Sequence, residues 1–173
     1  MKRIALIAIV AALAGCATQQ QRPVVTIKSP FDEAQARSML QEGTSTIKGS
    51  AFLRQRGGGV VTCAGSGVTL VPATNYAKER FLTLYNGSIF SGVNSNRVNP
   101  VFVPDEPAYL ALAKTTTCDA QGSFEFAGVK EGEYFITTTV VWQAGNMRQG
   151  GHVMKLVPVD RPGRTLSVVI SGD

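Results

Sequence analysis

From Ser45 onward the chain is a series of short β-rich runs separated by glycine, and this pattern constrains the fold most strongly. Few of these runs have a helical segment between them, and glycine or proline closes most of them. Strands at this spacing predict an all-β, antiparallel β-sandwich. The predicted strands cover residues 46–53, 60–63, 67–71, 115–118, 123–126, 134–142, 152–157 and 165–171.

One long section, residues 75–113, interrupts the series. Its first part predicts a helix over 75–85, because Ala77, Phe81 and Leu84 recur near helical spacing. The remainder, 88–113, is rich in Asn, Ser and Pro, and a loop this long inside a compact domain is usually functional or poorly ordered. Its spaced aromatic residues favour a section that folds back onto the sheet.

Residues 117–134 read TCDAQGSFEFAGVKEGEY. This stretch resembles the signature T-x-D-x-x-G-x-F-x-F-x-x-V-x-x-G-x-Y of carboxypeptidase regulatory-like domains, and residues 67–72, GVTLVP, resemble an upstream strand of the same family. The resemblance implies a transthyretin-like (prealbumin-like) sandwich of about seven strands over 45–173, with 75–113 as an insertion. It also implies an accessory module without catalysis. The matching turn residues are Asp119, Gly122, Gly132 and Tyr134.

The amino terminus has the features of an export signal. Lys2 and Arg3 precede residues 4–14, an uncharged run of 11 residues that is too short to span a bilayer as a mature helix. The sequence LAGC at 13–16 then resembles the lipobox of bacterial lipoproteins, which implies that residues 1–15 are removed and that Cys16 carries the lipid. An ordinary signal peptide with a coincidental cysteine is the alternative.

The residue after the lipobox indicates which bacterial membrane holds the lipoprotein. In the lipoprotein family an Asp after the lipidated cysteine commonly signals retention in the inner membrane, and this chain has Ala17. We therefore expect an outer-membrane lipoprotein that faces the periplasm, with the inner membrane as the less favoured site. Several acyl chains anchor a protein essentially permanently.

The segment between the lipobox and the sandwich is predicted in two parts. Residues 16–29 are mostly polar and predict a flexible tether. Residues 30–44 predict a short peripheral helix, with Ser29 as N-cap and Pro30 at the first helical position.

Two cysteines remain after lipidation of Cys16. In an oxidising periplasm, Cys63 and Cys118 of one small domain predict a disulfide. Two free buried thiols are the alternative. A catalytic cysteine is disfavoured because His152 is the chain's single histidine and no Cys-x-x-Cys pair exists.

Charge and chemistry exclude several classes of function. Without residues 1–15 the chain has 15 basic and 12 acidic residues, a net charge of +3 without a basic cluster, which excludes a strongly basic nucleic-acid binder. Ser66 lies in a turn, His152 has no second histidine nearby, and Asp105 and Glu106 are adjacent loop carboxylates. We therefore expect no enzyme activity, no metal and no cofactor besides the lipid on Cys16.

Three functions are compatible with these features. The first is a non-enzymatic scaffold or binding module for another envelope protein, recognised mainly through residues 75–113. The second is a lipoprotein that binds carbohydrate or peptidoglycan, since aromatic rings can stack on sugars. The third is a transthyretin-fold accessory lipoprotein of a secretion system. The candidate binding surface comprises Tyr76, Tyr85, Phe90, Phe102, Tyr109 and Trp142.

Overall fold

A computed structural model describes residues 21–96 and 98–172, and within these ranges the chain is an all-β sandwich, as predicted. The described residues form eleven strands and three helices. Their bounds are β1 Val24–Thr26, α1 Glu33–Met39, β2 Ser45–Arg54, β3 Val60–Thr62, β4 Gly67–Pro72, α2 Asn75–Leu84, β5 Ser91–Asn94, β6 Val101–Val103, α3 Pro107–Ala111, β7 Lys114–Thr117, β8 Ser123–Val129, β9 Gly132–Ala144, β10 Met147–Val159 and β11 Thr165–Ile170.

Two sheets enclose the main core. The first has five antiparallel strands in the order β5-β10-β9-β4-β7, and its longest pairing is the β9–β10 hairpin. The second is centred on β2, with β11 on one side and with β3 and β8 on the other. Alternate residues of each strand point inward, so Ile47, Val68 and Ile136 are all fully buried in one core cluster.

Two pairings differ from the predicted antiparallel arrangement. β11 runs parallel to β2, and β1 runs parallel to β6. The predicted count of about seven strands is also too low. All eight runs identified in the sequence form strands. The sequence did not indicate β1, β5 and β6, because they lie in segments predicted as tether or loop and each pairs with a strand distant in sequence.

The inserted section folds back onto the five-stranded sheet, as predicted. The expected helix is α2, whose Phe81 ring stacks on Phe135 of β9 with 3.9 Å between ring centroids. Downstream, β5 joins the sheet as an edge strand beside β10. This insertion therefore covers one end of the sheet's outer face and extends the sheet by one strand.

The predicted tether of residues 16–29 is wrong for its last part. Residues 24–26 form β1, Ile27 is buried, and the N–H groups of Lys28 and Ser29 donate to Glu79 of α2 at 2.7 and 3.2 Å. The Ser29 hydroxyl also binds Glu79. Because Ser29 is engaged there, it is not the N-cap of α1. Asp32 takes that position, and its carboxylate accepts from the N–H of Gln35.

The disulfide and the turn signature agree with prediction. Cys63 and Cys118 are bonded, with 5.8 Å between their Cα atoms, and link the residue after β3 to the residue after β7. The Asp119 carboxylate accepts from the N–H groups of Gln121 and Ser123, which initiates the turn before β8. Gly122 takes a φ of 82° there, a conformation that favours glycine.

Tyr134 fastens α1 to the sandwich. Its ring is fully buried, and its hydroxyl lies 2.7 Å from the Met39 carbonyl oxygen and 3.0 Å from that of Lys130. The close approach of Met39 to Gly132 completes the contact. The short helix is thus peripheral, as the sequence indicated, and is held at the β8–β9 turn.

The signal segment and Cys16 lie outside the described residues, so the lipoprotein assignment and the domain boundaries drawn from it stay predictions. Within 21–96 and 98–172, no helix has the length and apolar character needed to cross a membrane.

Candidate functional site

A cavity of about 260 Å³ opens on the outer face of the five-stranded sheet, beside the end that α2 covers. The sheet forms its floor, α2 forms one wall, and the segments around β5 and α3 form the others. Most ligand sites are concave and largely apolar, with a few polar groups that orient the ligand. This cavity has that character.

Polar side chains from neighbouring strands form the floor. Thr69 of β4 lies opposite Thr137 of β9, and His152 lies on the next strand, β10. The Thr137 hydroxyl donates to the Val153 carbonyl at 3.0 Å and lies 3.1 Å from the Tyr85 hydroxyl. These groups are positioned by the sheet itself, because residues two apart on one strand point to the same face.

His152 is an uncharged group at the rim of this floor. Burial, with a smaller contribution from the nearby Arg148 charge, lowers the pKa of His152 below its ordinary value of 6.5. Its Nδ1 lies 3.0 Å from the Thr139 hydroxyl. Nε2 has no hydrogen-bond partner among the described residues, so a neutral imidazole nitrogen is available to a ligand hydroxyl.

The wall formed by α2 is built around Arg80. Its guanidinium lies 4.1 Å from the centre of the Phe102 ring and 4.7 Å from that of Tyr109, and it pairs with Asp105 at 2.5 Å. Burial by itself lowers the pKa of Arg80, but the hydrogen bonds to Asp105 and Tyr76 outweigh it, so the net pKa is raised. This cation is therefore neutralised within the wall.

Two tyrosines give the cavity its aromatic surface, and both are uncharged at neutral pH. Burial raises the pKa of Tyr85 to about 12 and also raises the pKa of Tyr109. Tyr109 is half-buried, and the neighbouring Leu110 is largely exposed at the opening. A half-open ring beside fixed hydroxyls suits an amphipathic ligand.

Amide side chains form the rim opposite α2. Asn94 of β5 is buried and donates to the Asn99 side chain at 3.1 Å. The backbone carbonyls of Asn99 and Pro100 in turn accept hydrogen bonds from the Arg22 guanidinium. The rim therefore depends on the segment before β1, which sequence reasoning had assigned to the tether.

The predicted aromatic surface is wrong for half of its members. Tyr76, Tyr85 and Phe102 are buried, because the insertion packs its aromatic residues around Arg80 and against the sheet. Only Tyr85 among these three borders the cavity.

The other three predicted residues are at least partly accessible but lie apart. Tyr109 borders the cavity. Phe90 is 72% exposed and lies outside the cavity lining. Trp142 is half-buried, packs on the main core and lies against Gly150. The six residues therefore do not form one continuous surface.

Sequence reasoning missed Arg80, Asn94, Asn99 and Thr137 as site residues. The sequence presents His152 as the one histidine that could act as a base or bind a metal, and it favours neither role. The threonines carried a usable signal, because 137 and 139 alternate with buried positions of the same strand. Arg80 and the amides carried none, since only the folded insertion brings them to the sheet.

Alternative sites are less convincing. A wider depression of about 690 Å³ lies on the second sheet around Lys48 and Glu125, but these two form an exposed salt bridge, and its aromatic residue, Phe124, is buried. Among residues 21–96 and 98–172, no three His, Cys, Asp or Glu side chains form a group able to hold a metal ion.

Comparison with known proteins gives structural relatives only. No protein-family model matches the chain. The curated proteins contain no significant sequence match either. The resemblance to carboxypeptidase regulatory-like domains therefore stays a prediction.

One similar solved structure is the crystal structure of "a putative carbohydrate binding protein" from Pseudomonas aeruginosa, with a TM-score of 0.66 and 25% identity. The match covers 83% of this chain and 98% of that one.

Catechol 1,2-dioxygenase from Pseudomonas arvilla C-1 and chlorocatechol 1,2-dioxygenase from Pseudomonas putida match at TM-scores of 0.30 and 0.27 and at 11% and 12% identity. The first match covers 88% of this chain and 59% of the arvilla enzyme, and the second covers 91% and 70%. Such low scores support no inference.

Proposed function

We propose that this chain is a non-enzymatic carbohydrate-binding lipoprotein of the bacterial outer membrane, anchored through Cys16 and facing the periplasm. The observation that carries the proposal is the cavity on the outer face of the five-stranded sheet, where a half-buried ring, Tyr109, lies near fixed polar groups. The name of the similar Pseudomonas aeruginosa protein supports the same function.

The chemistry of the cavity fits a saccharide. A sugar ring has an apolar face of C–H groups and an edge of hydroxyls, so it needs an aromatic or aliphatic surface next to donors and acceptors. Tyr109 and Leu110 supply the apolar surface, while His152 and Asn99 supply polar groups at the rim. Because Arg80 is paired with Asp105, the ring-binding part of the cavity is close to neutral.

The absence of catalysis belongs to the proposal and rests on the residues at the site. A hydrolase needs a nucleophile with an adjacent base or a pair of facing carboxylates. His152 is bound to a threonine hydroxyl, and among the described residues that line the cavity there is no carboxylate. Binding without turnover is the function that this arrangement supports best.

Binding to immobilised glycans tests the proposal. The full chain, purified in detergent micelles, is screened against a glycan array, and the affinity for the best glycan is measured by calorimetry. We expect His152→Ala to weaken binding about tenfold, because the hydrogen bond between the imidazole Nε2 and a sugar hydroxyl is lost.

A matched aromatic control separates this site from the other accessible aromatic residues. Phe90→Ala removes an exposed ring outside the cavity and is expected to leave the affinity unchanged. Absence of binding to any glycan contradicts the function. Loss of binding in Phe90→Ala but not in His152→Ala contradicts the site.

A protein partner is the second candidate, because the inserted section exposes four large apolar side chains, of which Phe90 and Leu110 are the most exposed. Phe90 is 72% and Leu110 is 64% exposed. Isolated exposed apolar residues are common, so the pair is a weaker signal than the cavity. In vivo crosslinking should recover an envelope protein that is lost in the Phe90→Ser, Leu110→Ser variant; retention of the same partners contradicts this candidate.

The secretion-system function remains a third prediction. It shares the lipid anchor and the sandwich with the other two, and no described residue favours it. A gene located among secretion-machine genes supports it, and any other genomic setting counts against it.

A further inference from the structure

A second depression lies beside the cavity, further along β10, and it has a different chemical character. Its volume is about 370 Å³, and it is lined by Ser95, Gln143, Asn146, Arg148 and Gly150. Both depressions have an arginine and amide side chains, but the described residues that line the second include no tyrosine and no leucine, whereas the first has two of each. Polar atoms dominate its surface, so it suits a strongly hydrated group.

The two depressions lie on the same face of the sheet. On β9, Thr139 and Gln143 are four residues apart and therefore point to the same side. Their partners on β10 are His152 and Arg148, so these two side chains share that side. On the neighbouring segment, Asn94 borders the first depression and Ser95 borders the second. We call the two depressions together the combined surface. Arg148 and His152 are four residues apart on β10, a distance of about 13 Å, so the combined surface has room for more than one sugar unit.

Charge distinguishes the two ends of this surface. Arg80 at one end is neutralised by Asp105, whereas Arg148 at the other end forms no salt bridge among the described residues. None of the described residues that line either depression is a carboxylate. The combined surface therefore carries an uncompensated positive charge at the end lined by Gln143 and Asn146.

We infer that the combined surface binds a carboxylate-bearing saccharide, with Arg148 pairing with the carboxylate while a neighbouring sugar ring occupies the cavity beside Tyr109. The inference rests on the proposed function and deepens it by naming the ligand class. A guanidinium presents parallel N–H donors that match a carboxylate in two hydrogen bonds. Gln143 and Asn146 can then bind hydroxyls of the same unit.

The test uses ligands that share one sugar chain and differ at the carboxyl group. Oligomers of galacturonic acid are compared with the same oligomers after methyl esterification, which removes the charge and keeps the sugar chain. Glycan strands that contain muramic acid form a further arm, because they carry a carboxylate on a lactyl group instead of on the sugar ring. Affinities are measured by calorimetry with the full chain in detergent micelles.

We expect the acid to bind about tenfold more tightly than its ester, because one charge-assisted contact is gained. Arg148→Gln should remove this preference while retaining the affinity for the ester. The acid's affinity should also fall with added salt in the wild type and become nearly independent of salt in the variant.

Arg161→Gln is the matched control. It removes an exposed arginine beyond the far end of β10 and should preserve the preference. If the muramic acid strands bind more tightly than galacturonate, the carboxylate that Arg148 binds is the one on the lactyl group. This result still supports the inference.

Two outcomes overturn the inference in distinguishable ways. If acid and ester bind equally, or if Arg148→Gln keeps the preference, the role of Arg148 is wrong and the proposed carbohydrate-binding function stands. If no saccharide of either kind binds, the proposed function fails and the inference fails with it.

Discussion

The two faces of β9 are built from alternating residues of one strand, yet they serve different purposes. On the inner face, Tyr134, Ile136 and Val140 are fully buried in the sandwich core. On the outer face, Phe135 is buried under α2, while Thr137 and Thr139 are only half-buried. One strand thus supplies both the core and the candidate site, because its side chains alternate in direction.

The change in burial along β9 shows why the cavity lies where it does. Residues 134–136 are buried in succession, which happens only where both faces of a sheet are covered. From 137 onward, burial alternates, since α2 has ended and the outer face is open. The cavity lies at this transition, where apolar packing gives way to polar side chains held by the sheet.

Ile136→Ala is the strongest test of the contrast. It removes a fully buried side chain from the core, so we expect a loss of about 2–5 kcal/mol in the free energy of unfolding, measured by urea denaturation. The matched outer-face change, Thr139→Ala, removes one half-buried hydroxyl and should cost about 1 kcal/mol or less. Equal losses in the two variants contradict the assignment of the faces.

Removing the disulfide tests how much the bond between the two sheets contributes to the stability of the core. The double variant Cys63→Ala, Cys118→Ala should lose about 2–4 kcal/mol, because the unfolded chain regains the freedom of a loop of 55 residues. Adding reductant to the wild type should shift its urea midpoint in the same direction. An unchanged midpoint under reducing conditions shows that the bond contributes nothing.

Asp105→Asn tests the polar packing that shapes the outer face. Arg80, whose side chain is 10% exposed, loses its counter-charge, so we expect a loss of about 1–2 kcal/mol together with weaker glycan binding. Glu125→Gln breaks the exposed pair with Lys48 and should cost less than about 1 kcal/mol. Thermal unfolding of both variants compares the pairs, and equal shifts contradict a special role for Arg80.

The smallest expected effect is a pH dependence from His152. Its pKa is lowered in the folded protein, so the unfolded chain binds the proton more readily. The folded state should therefore lose stability as the pH falls through 6.5 toward the folded pKa, and His152→Gln should lack this loss. The melting temperatures of the wild type and of the variant are measured from pH 8 to pH 5. If the two proteins show the same dependence on pH, the lowered pKa of His152 is contradicted.

Much of the fold was predictable because its signals are local. Glycine and turn residues bound each strand, Phe124 and Phe126 alternate with polar neighbours, and Cys63 and Cys118 were paired by elimination. The helix α2 was predictable from spacing alone. The short strands β1, β5 and β6 were not, because each is stabilised by a partner distant in sequence instead of by its own pattern.

The candidate site was harder to predict for a similar reason. Aromatic residues in a polar loop suggested a binding surface, but Tyr76 and Phe102 pack around Arg80 and are buried. An arginine in an amphipathic helix has no sequence feature that indicates a buried, paired position. His152 stands out in the sequence as a lone histidine, but its neutral state depends on its burial, with a smaller contribution from the Arg148 charge, and only the folded sheet sets that burial.

The sequence by itself determined the sandwich, the disulfide and the turn at Asp119, because alternation, thiol count and turn chemistry act over short stretches of chain. Only the tertiary structure decided which aromatic residues stay accessible, that residues 24–29 dock on the domain, and where the outer face is open. These outcomes depend on how the insertion covers the sheet, and the free energy of that contact comes from surfaces far apart in the sequence.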